Sequence, residues 1–494
     1  MNDFKNSVKG VMVVFLVLFV GLISYIAYFQ TFRASDIASD SGNKRLWAKR
    51  NEVLRGTIYD RDGNALTASE KTGDLTQSRT YLQGDLYVHA LGYVSTKYDL
   101  TGLEKAYDEE LSTYTSKMES GVRSLVTNFS FDALKDAFNN RDTEEQEKIG
   151  NGVVTTLNPA VQKAAYNALG NNRGAVVALD PSTGQILAMV SKPTYNPNDL
   201  DSAMATANAG TTENSPLINR ATSGLYAPGS TFKTVTLASA LSNISGVKSR
   251  TFNDTGSLQL SAKQSLSNDS GEVNGEIDLE RAYVRSSNVV FASLALELGN
   301  SKLKDTAEKF GFNNDVTTNG FYLTKSSFPT LGSSDKGLIA QTGIGQASIL
   351  ATPMQMALVC STVANNGVMM EPTLVKEIVD KDKNVIKKVE AKKYSQVMSS
   401  SDAATAKQYM KGVVEDHLSD TFYGLNAAGK TGTAETTDSN GNATKSHSWF
   451  IGFAPADNPK VAVAVIVENA GYGAEAAAPV TAAVMKAALN NQSK

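Results

Sequence analysis

Residues 174–190 read GAVVALDPSTGQILAMV, and this stretch holds the pattern that decides the fold. Two apolar runs, 174–179 and 185–190, flank the turn-forming segment 180–184 (DPSTG). Short apolar runs bounded by Asp, Pro, Ser and Gly predict two strands joined as an antiparallel hairpin. The hairpin therefore supplies one end of a predicted sheet.

The C-terminal part of the chain carries a matching pair of strands. Residues 448–454 and 461–467 are apolar and are separated by a turn that contains two prolines. Residues 159–169 have helical periodicity, and the Ala-rich segment 479–489 predicts a last helix. Long helical stretches lie between the two strand-rich ends. We therefore predict an α/β domain over residues 151–494, with a mainly antiparallel sheet assembled from both ends and flanked by helices.

An uncharged apolar stretch occupies residues 10–32, GVMVVFLVLFVGLISYIAYFQTF. About 20 apolar residues are enough to cross a bilayer as a helix. A cleaved signal peptide is the alternative, but its apolar region runs only about 7–15 residues and ends in a small-residue cleavage site. Lys5 and Lys9 precede the stretch, so the positive-inside bias predicts a cytoplasmic tail at residues 1–9. We expect a single-pass protein of the bacterial cell membrane whose remaining chain lies outside the cytoplasm.

Between this anchor and residue 151 the chain is polar. Residues 34–150 contain only short apolar pieces between turn-rich stretches, which predicts a small α+β module with little core. Lys71-Thr72-Gly73 lies in this module and is predicted to be a turn. The full length of 494 residues fits such a division, because it is too long for one hydrophobic core of ordinary size.

The composition excludes several function classes. The net charge is only −3, with Lys and Arg scattered along the chain, so no electrostatic footprint for nucleic acid is present. Cys360 is the only cysteine, which rules out an intrachain disulfide and predicts simple packing. The three histidines, His89, His417 and His447, lie far apart without metal-ligand spacing. This argues against a zinc hydrolase and against a Ser-His-Asp mechanism.

Ser230 and Lys233 lie in the segment 226–233 (YAPGSTFK) at positions i and i+3. This spacing puts the hydroxyl and the amine on one helical face, where they can share a proton. Pro228 and Gly229 predict that the helix starts there, so that its N-terminal amides face the oxygen under attack. The pattern alone is weak, because Ser-x-x-Lys also occurs at 41–44, 245–248, 301–304 and 333–336.

Two further elements follow Ser230 in order. Residues 286–288 (SSN) precede an apolar run, which predicts a loop that enters a buried helix. Residues 430–433 (KTGT) predict an extended segment that brings a lysine and two hydroxyls to the edge of a cleft. The order of these three elements is more specific than any one of them.

The ordered motifs Ser-x-x-Lys, Ser-x-Asn and Lys-Thr-Gly resemble the superfamily of penicillin-binding proteins and serine β-lactamases. Further similarity to penicillin-binding transpeptidases, covering most of residues 151–494, lies at 219–220 (NR), 226–233, 343–346 (GIGQ) and 449–455 (WFIGFAP). Residues 55–63 (RGTIYDRDG) and 102–104 (GLE) resemble the pedestal of class B members. The resemblance implies a β-lactamase-like transpeptidase domain preceded by a small α+β pedestal at residues 34–150.

The resemblance also implies the reaction, the cross-linking of peptidoglycan stem peptides by D,D-transpeptidation. Ser230 is then the nucleophile, acylated by the stem peptide or by a β-lactam antibiotic. Lys233 acts as base, and the nearby charge of Lys430 helps to lower its pKa. Ser286 relays a proton, and Asn288 orients the donor peptide.

The same resemblance assigns the binding groups and the partners. Backbone N–H groups of Ser230 and Thr433 hold the oxyanion, while Lys430, Thr431 and Thr433 bind the terminal carboxylate on either side of Gly432. No metal or organic cofactor is needed. Residues 34–150 are too few for a second catalytic domain, so a separate membrane glycan polymerase is the implied partner.

Three other functions share part of this chemistry. A D,D-carboxypeptidase differs only in using water as acceptor, and the sequence leaves it open. A β-lactamase needs a group that activates water, and residues 297–300 (ELGN) have the wrong spacing for it. An antibiotic-sensing receptor needs an output domain, for which residues 1–9 are too short.

Overall fold

The computed structural model describes residues 2–33, 44–113, 148–210, 214–262, 264–437 and 442–490. Its first helix, Asn2–Phe32, includes the predicted anchor and begins eight residues earlier than the apolar stretch at 10–32, so residues 2–9 are helical. Within it, Val8–Phe29 is long and apolar enough to cross a membrane, and none of that segment is buried inside the protein.

The other described elements are short or of medium length. The α-helices are Lys44–Asn51, Val88–Leu91, Gly102–Ala106, Asp108–Ser112, Pro159–Leu169, Leu200–Ala209, Arg220–Ser223, Lys233–Asn243, Leu279–Val284, Asn288–Lys309, Lys336–Thr342, Pro353–Ala364, Ser400–His417 and Ala477–Asn490. The strands are Ile58–Tyr59, Thr67–Gly73, Thr76–Tyr81, Val94–Ser95, Asp99–Leu100, Gly152–Thr155, Gly174–Leu179, Ile186–Lys192, Thr251–Asp254, Ser257–Ser261, Gln264–Ser267, Gly275–Asp278, Val368–Met370, Val375–Val379, Val385–Lys388, Lys393–Gln396, Ala428–Thr437, Ala443–Ala454 and Val461–Val467. Four 3-10 turns are Gly84–Leu86, Gly229–Phe232, Val247–Ser249 and Asp269–Gly271.

A five-stranded antiparallel sheet forms the centre of the larger, C-terminal domain. Its strand order is Ala428–Thr437, Ala443–Ala454, Val461–Val467, Gly174–Leu179 and Ile186–Lys192. The C-terminal and N-terminal strands meet where Ala462 lies opposite Leu179 and Val467 opposite Gly174. This confirms the predicted fold, a mainly antiparallel sheet assembled from both ends of the domain.

Helices cover both faces of this sheet. Val176 and Val465 point into a core with the helices Pro159–Leu169 and Ala477–Asn490. The alternate residues of the same strands point into a larger core with the buried helix Pro353–Ala364, which contains Cys360. Because successive side chains of a strand face opposite sides, burial of both faces requires the continuous apolar runs seen in the sequence.

The front region shares a sheet with the catalytic domain. Ile58–Tyr59 pairs in parallel with Gly152–Thr155, and that strand pairs antiparallel with Val375–Val379. Ile58 and Leu103 lie in the same continuous core as the catalytic helices. The sheet therefore crosses the point at residues 150 and 151 where the sequence pattern changes.

One sequence-based prediction is wrong. Lys71-Thr72-Gly73 is not a turn but the end of the strand Thr67–Gly73, with Lys71 opposite Gln77. The turn follows directly, at residues 74–75. Short strands also lie among the long helical stretches, between residues 251 and 278 and between 368 and 396.

Candidate functional site

Ser230 lies on the 3-10 turn Gly229–Phe232, which leads into a helix. Gly229 has a φ of 53°, and its N–H donates to the Gly345 carbonyl at 3.1 Å. A Cβ atom at Gly229 would lie 2.7 Å from the Thr433 carbonyl oxygen. Glycine is needed here both for the left-handed backbone and for the close approach of the neighbouring strand.

The turn opens into a cleft of about 1140 Å³. Six of the eight predicted site residues line this cleft: Ser230, Ser286, Asn288, Thr431, Gly432 and Thr433. The other two, Lys233 and Lys430, are fully buried beneath it. The structure thus brings all eight together in one place.

The two lysines meet at the Ser286 hydroxyl. Lys233 Nζ donates to the Ser286 carbonyl at 2.6 Å, to Ser286 Oγ at 3.1 Å and to Asn288 Oδ1 at 2.7 Å. Lys430 Nζ donates to Ser286 Oγ at 2.9 Å and to the Thr431 carbonyl at 3.2 Å. Among the described residues no hydrogen bond joins Lys233 to Ser230 Oγ, because the amine is turned toward Ser286 and Asn288.

Burial lowers the pKa of both lysines. It is the largest cause that lowers the pKa of Lys233, and the charge of Lys430 lowers it further. Asp254 and Asp269 act in the opposite direction, yet the pKa of Lys233 remains well below its usual value. Burial also lowers the pKa of Lys430 to about 7. A lysine in such a site can lose its proton near neutral pH and act as a base.

The loop that receives Lys233 is held in an unusual backbone conformation. Ser286 has a φ of 55°, in the left-handed region that costs a non-glycine residue about 1–2 kcal/mol. The following residue, Ser287, caps the helix Asn288–Lys309 by accepting a hydrogen bond from Val290 N at 3.1 Å. Together these features leave the Ser286 carbonyl and hydroxyl facing the two lysines.

The strand Ala428–Thr437 forms the opposite wall of the site. A Cβ atom on Gly432 would lie 2.8 Å from Thr231 Cγ2, so a side chain there would push the strand away from the Ser230 turn. Trp449 on the neighbouring strand donates from Nε1 to the Ala227 carbonyl at 3.1 Å. The Trp449 hydrogen bond and the absence of a side chain at Gly432 thus allow the strand and the Ser230 turn to lie against each other.

Sequence reasoning missed two residues behind the 286–288 loop. Ser287 Oγ donates to Asp254 Oδ2 at 2.7 Å, and Asn288 N donates to Asn268 Oδ1 at 2.8 Å. The only local signal is the Asp-Thr-Gly sequence that starts at Asp254, which is typical of a turn. It does not point to a loop more than thirty residues further along the chain.

Comparison with protein families identifies the architecture. The model of the penicillin-binding protein transpeptidase domain matches residues 174–486, which span the Ser230 turn, the 286–288 loop and the Lys430 strand. The chain belongs to the penicillin-binding transpeptidase family. A second model, the penicillin-binding protein A dimerisation domain, matches residues 55–130 in the front region of this family member.

Similarity to individual family members extends over nearly the whole chain. The peptidoglycan D,D-transpeptidase PbpA of Mycolicibacterium smegmatis is 34% identical, covering 99% of this chain and all of the relative. The ceftriaxone acyl-enzyme complex of penicillin-binding protein A from M. tuberculosis covers 90% of this chain, with a TM-score of 0.78, 32% identity and all of that chain matched. The D,D-transpeptidase domain from Eggerthella lenta covers 89% of this chain and 99% of its own, with a TM-score of 0.75 and 33% identity.

These relationships confirm the family, the fold and the enzyme class expected from the three motifs. The chain is a serine-type D,D-transpeptidase of the penicillin-binding family. The transpeptidase fold, with an antiparallel sheet flanked by helices, is shared with the solved relatives.

Proposed function

We propose that this transpeptidase cross-links peptidoglycan stem peptides through an acyl-enzyme on Ser230. The observation that carries the proposal is the position of Ser230 in a cleft beside a hydroxyl that bridges two buried lysines. Relatives named peptidoglycan D,D-transpeptidase support the substrate class. A relative captured as an acyl-enzyme with ceftriaxone supports acylation by β-lactams.

In the first step, Lys233 as the neutral amine takes the proton of Ser230. The serine oxygen bonds to the carbonyl carbon between the two terminal D-alanines, and the tetrahedral intermediate then loses its C–N bond. Ser286 passes a proton from the lysines to the leaving amine of D-alanine. Its Oγ lies 3.1 Å from Lys233 Nζ and 2.9 Å from Lys430 Nζ, within range for this transfer.

In the second step, an amine of a neighbouring stem peptide attacks the ester carbonyl. The C–O bond to Ser230 breaks, the acceptor amine gives up a proton, and the serine hydroxyl is restored. The product is a new peptide bond between two stem peptides. Water in place of the amine gives a shortened peptide instead, which is the carboxypeptidase outcome.

The strand Ala428–Thr437 and the 286–288 loop bind the donor peptide. Thr431, Thr433 and the charge of Lys430 bind the terminal carboxylate, and the N–H groups of Ser230 and Thr433 hold the oxyanion. Asn288 orients the donor amide. Its Oδ1 accepts from Lys233 and its Nδ2 donates to the Ser267 carbonyl at 2.9 Å, so one N–H and one lone pair remain for the peptide.

We also propose the placement of the chain relative to the membrane. Residues 1–9 lie in the cytoplasm, residues 10–32 cross the membrane, residues 34–150 form the pedestal and residues 151–494 form the transpeptidase domain outside. The exposed apolar surface of Val8–Phe29 and the lysine at position 9 support this orientation. A membrane glycan polymerase, in contact with the anchor and pedestal, supplies the glycan strands whose stem peptides are cross-linked.

The proposal is tested with the full-length protein in detergent micelles, incubated with a fluorescent penicillin beside Ser230→Ala. We expect one covalent adduct on the parent and none on the variant, by denaturing gel and intact mass. An adduct that persists on Ser230→Ala would place the nucleophile elsewhere, and rapid turnover of the penicillin would indicate a β-lactamase. Addition of a stem pentapeptide with an acceptor amine then separates cross-linked product from simple release of D-alanine.

A further inference from the structure

A buried carboxylate lies behind the loop that holds Lys233. Asp254 ends the strand Thr251–Asp254, is fully buried and does not line the cleft. Its Oδ1 accepts from Gly256 N at 3.0 Å, and its Oδ2 accepts from Asn274 Nδ2 at 2.7 Å. These two bonds anchor the carboxylate in its own hairpin.

The remaining donors to Asp254 lead to the catalytic loop. Ser287 Oγ donates to Oδ2 at 2.7 Å. Asn268 Nδ2 donates to both carboxylate oxygens, at 2.8 and 3.0 Å. Because the Asn268 amide nitrogen is committed to the carboxylate, its Oδ1 faces the other way and accepts from Asn288 N at 2.8 Å and Val289 N at 3.1 Å.

The loop fixed in this way supplies every acceptor that the structure gives to Lys233. These acceptors are the carbonyl and hydroxyl of Ser286 and the carboxamide oxygen of Asn288. Ser286 contacts Lys233 from a left-handed backbone conformation, at a φ of 55°. A strained residue keeps such a conformation when its neighbours are held on both sides, and Asp254 holds the C-terminal side.

The bonding pattern favours an ionised Asp254. Three of its four partners are N–H groups that can only donate, and the fourth, the Ser287 hydroxyl, donates to the carboxylate as well, so the ionised form accepts all four. Burial raises the pKa of Asp254, but the hydrogen bonds from Ser287, Asn268, Gly256 and Asn274 outweigh that effect and hold the pKa below its usual value. The group is therefore a carboxylate at neutral pH.

We propose that Asp254 is a positioning residue for the transpeptidase reaction. Its carboxylate holds Ser287 and Asn268, and through them it fixes Ser286 and Asn288 around Lys233. This inference rests on the proposed function, because it takes Lys233 as the base for Ser230. Asp254 contacts neither Lys233 nor the cleft, and every acceptor it positions belongs to Lys233, so we expect its loss to affect the acylation step more than the initial binding.

The test is Asp254→Asn, which keeps the shape but turns an N–H₂ group toward donors. We expect the acylation rate constant of the full-length protein with fluorescent penicillin to fall about tenfold or more, since small displacements of reacting groups cost rates of this order. The non-covalent dissociation constant is expected to change less than the rate constant, because Thr431 and Thr433 on the opposite wall are untouched.

The matched control is Asp380→Asn. Asp380 is also buried, and it accepts from Asp382 N at 2.9 Å, Asn384 N at 2.8 Å and Asn384 Nδ2 at 2.9 Å in a hairpin that does not line the cleft. This variant loses comparable turn hydrogen bonds and keeps the parent rate constant. Ser287→Ala is expected to lower the rate constant about threefold. Asp254→Asn lowers the rate constant less in the Ser287→Ala protein than in the parent, because both substitutions disrupt the same Ser287–Asp254 hydrogen bond.

The possible results are distinct. Parent-like acylation of Asp254→Asn, or a loss confined to the dissociation constant, overturns the positioning role while leaving the proposed function intact. Should Asp254→Asn not fold, Ser287→Ala decides in the same way, since an unchanged rate constant there overturns the proposal. A parent protein that forms no adduct, with Ser230→Ala as blank, overturns the proposed function and this inference with it.

Discussion

The front region buries a carboxylate between two arginines, whereas the transpeptidase cleft has two lysines buried beneath it. In the front region Glu104 is fully buried between Arg55, at 2.6 Å, and Arg79, at 2.8 Å. Arg55 also contacts Asp108 at 2.6 Å. We call these four residues the paired cluster. Lys233 and Lys430, the lysine pair, are equally buried, and neither forms an ion pair with a carboxylate of the described residues.

The two arrangements have opposite effects on proton binding. Burial raises the pKa of Glu104, but the two arginines outweigh it and hold the pKa below its usual value. Burial lowers the pKa of both lysines instead, and each lysine has only neutral oxygen acceptors. The ion pairs thus keep Glu104 charged and support the fold. Burial without an opposite charge lets the lysines lose a proton more easily, and it costs stability.

The largest expected effect comes from Lys233→Arg. Arginine keeps the positive charge but does not deprotonate in proteins, so the base is lost while the cation remains. We expect the acylation rate with fluorescent penicillin to fall about 1000-fold, within the range for loss of a general base. Lys248→Arg, in another Ser-x-x-Lys segment, is the control and keeps the parent rate. An arginine variant that acylates within about tenfold of the parent would contradict a base role.

Glu104→Gln is expected to have the next largest effect. The change leaves Arg55 and Arg79 without their buried partner, which lowers the free energy of unfolding by about 3–5 kcal/mol. Urea unfolding in detergent micelles measures this loss, and the folded variant acylates at the parent rate. Glu297→Gln, which breaks the exposed pair with Arg250, is the control and costs less than about 1 kcal/mol. A slower acylation in folded Glu104→Gln would remove the contrast between the two sites.

Lys430→Met has a smaller effect on stability, and of the opposite sign. The pKa of Lys430 is about 7 in the folded protein and 10.5 as its ordinary value. The penalty for the buried cation is therefore complete below pH 7 and disappears as pH rises to 10.5. Replacing the Lys430 cation at pH 7 raises the free energy of unfolding by about 4 kcal/mol. Loss of its hydrogen bonds to Ser286 and Thr431 lowers the free energy of unfolding by about 2 kcal/mol.

Unfolding of parent and Lys430→Met at several pH values checks this prediction. The variant is expected to be more stable than the parent by about 2 kcal/mol at pH 7, and this advantage shrinks toward pH 10 because the parent gains stability over that range. Acylation falls in the same variant, since both the second cation and a carboxylate-binding group are lost. A variant less stable than the parent at pH 7 would contradict the claim that burial of Lys430 without a carboxylate partner costs stability.

The central sheet and its helices could be predicted because their signals are local. Val461–Val467 is apolar at every position, and the structure buries each residue between two helical layers. The helix Pro159–Leu169 follows Asn158, whose side chain accepts hydrogen bonds from Ala160 N and Val161 N. Such strand patterns and caps are visible without any knowledge of distant contacts.

The connections between segments could not be predicted from these signals. Arg55 meets Glu104 across 49 positions, and Ser287 meets Asp254 across 33. The strand Thr251–Asp254 is short and polar, with alternating exposure, so it lacks a continuous apolar run. The eight predicted site residues could be picked out because three short motifs contain them, whereas the Asp-Thr-Gly sequence at Asp254 marks only a turn.

The pH dependence of acylation tests the central claim most directly. The rate constant for adduct formation with fluorescent penicillin is measured from pH 5 to 10 on the full-length protein, with Ser230→Ala as blank and Glu104→Gln as comparison. A base held at a lowered pKa predicts a rate that rises and levels off well below the ordinary lysine value of 10.5, with an apparent pKa that belongs to the coupled pair. The Glu104→Gln profile is expected to coincide with that of the parent. A rate that climbs about tenfold per pH unit up to pH 10 would show an ordinary lysine and contradict the account.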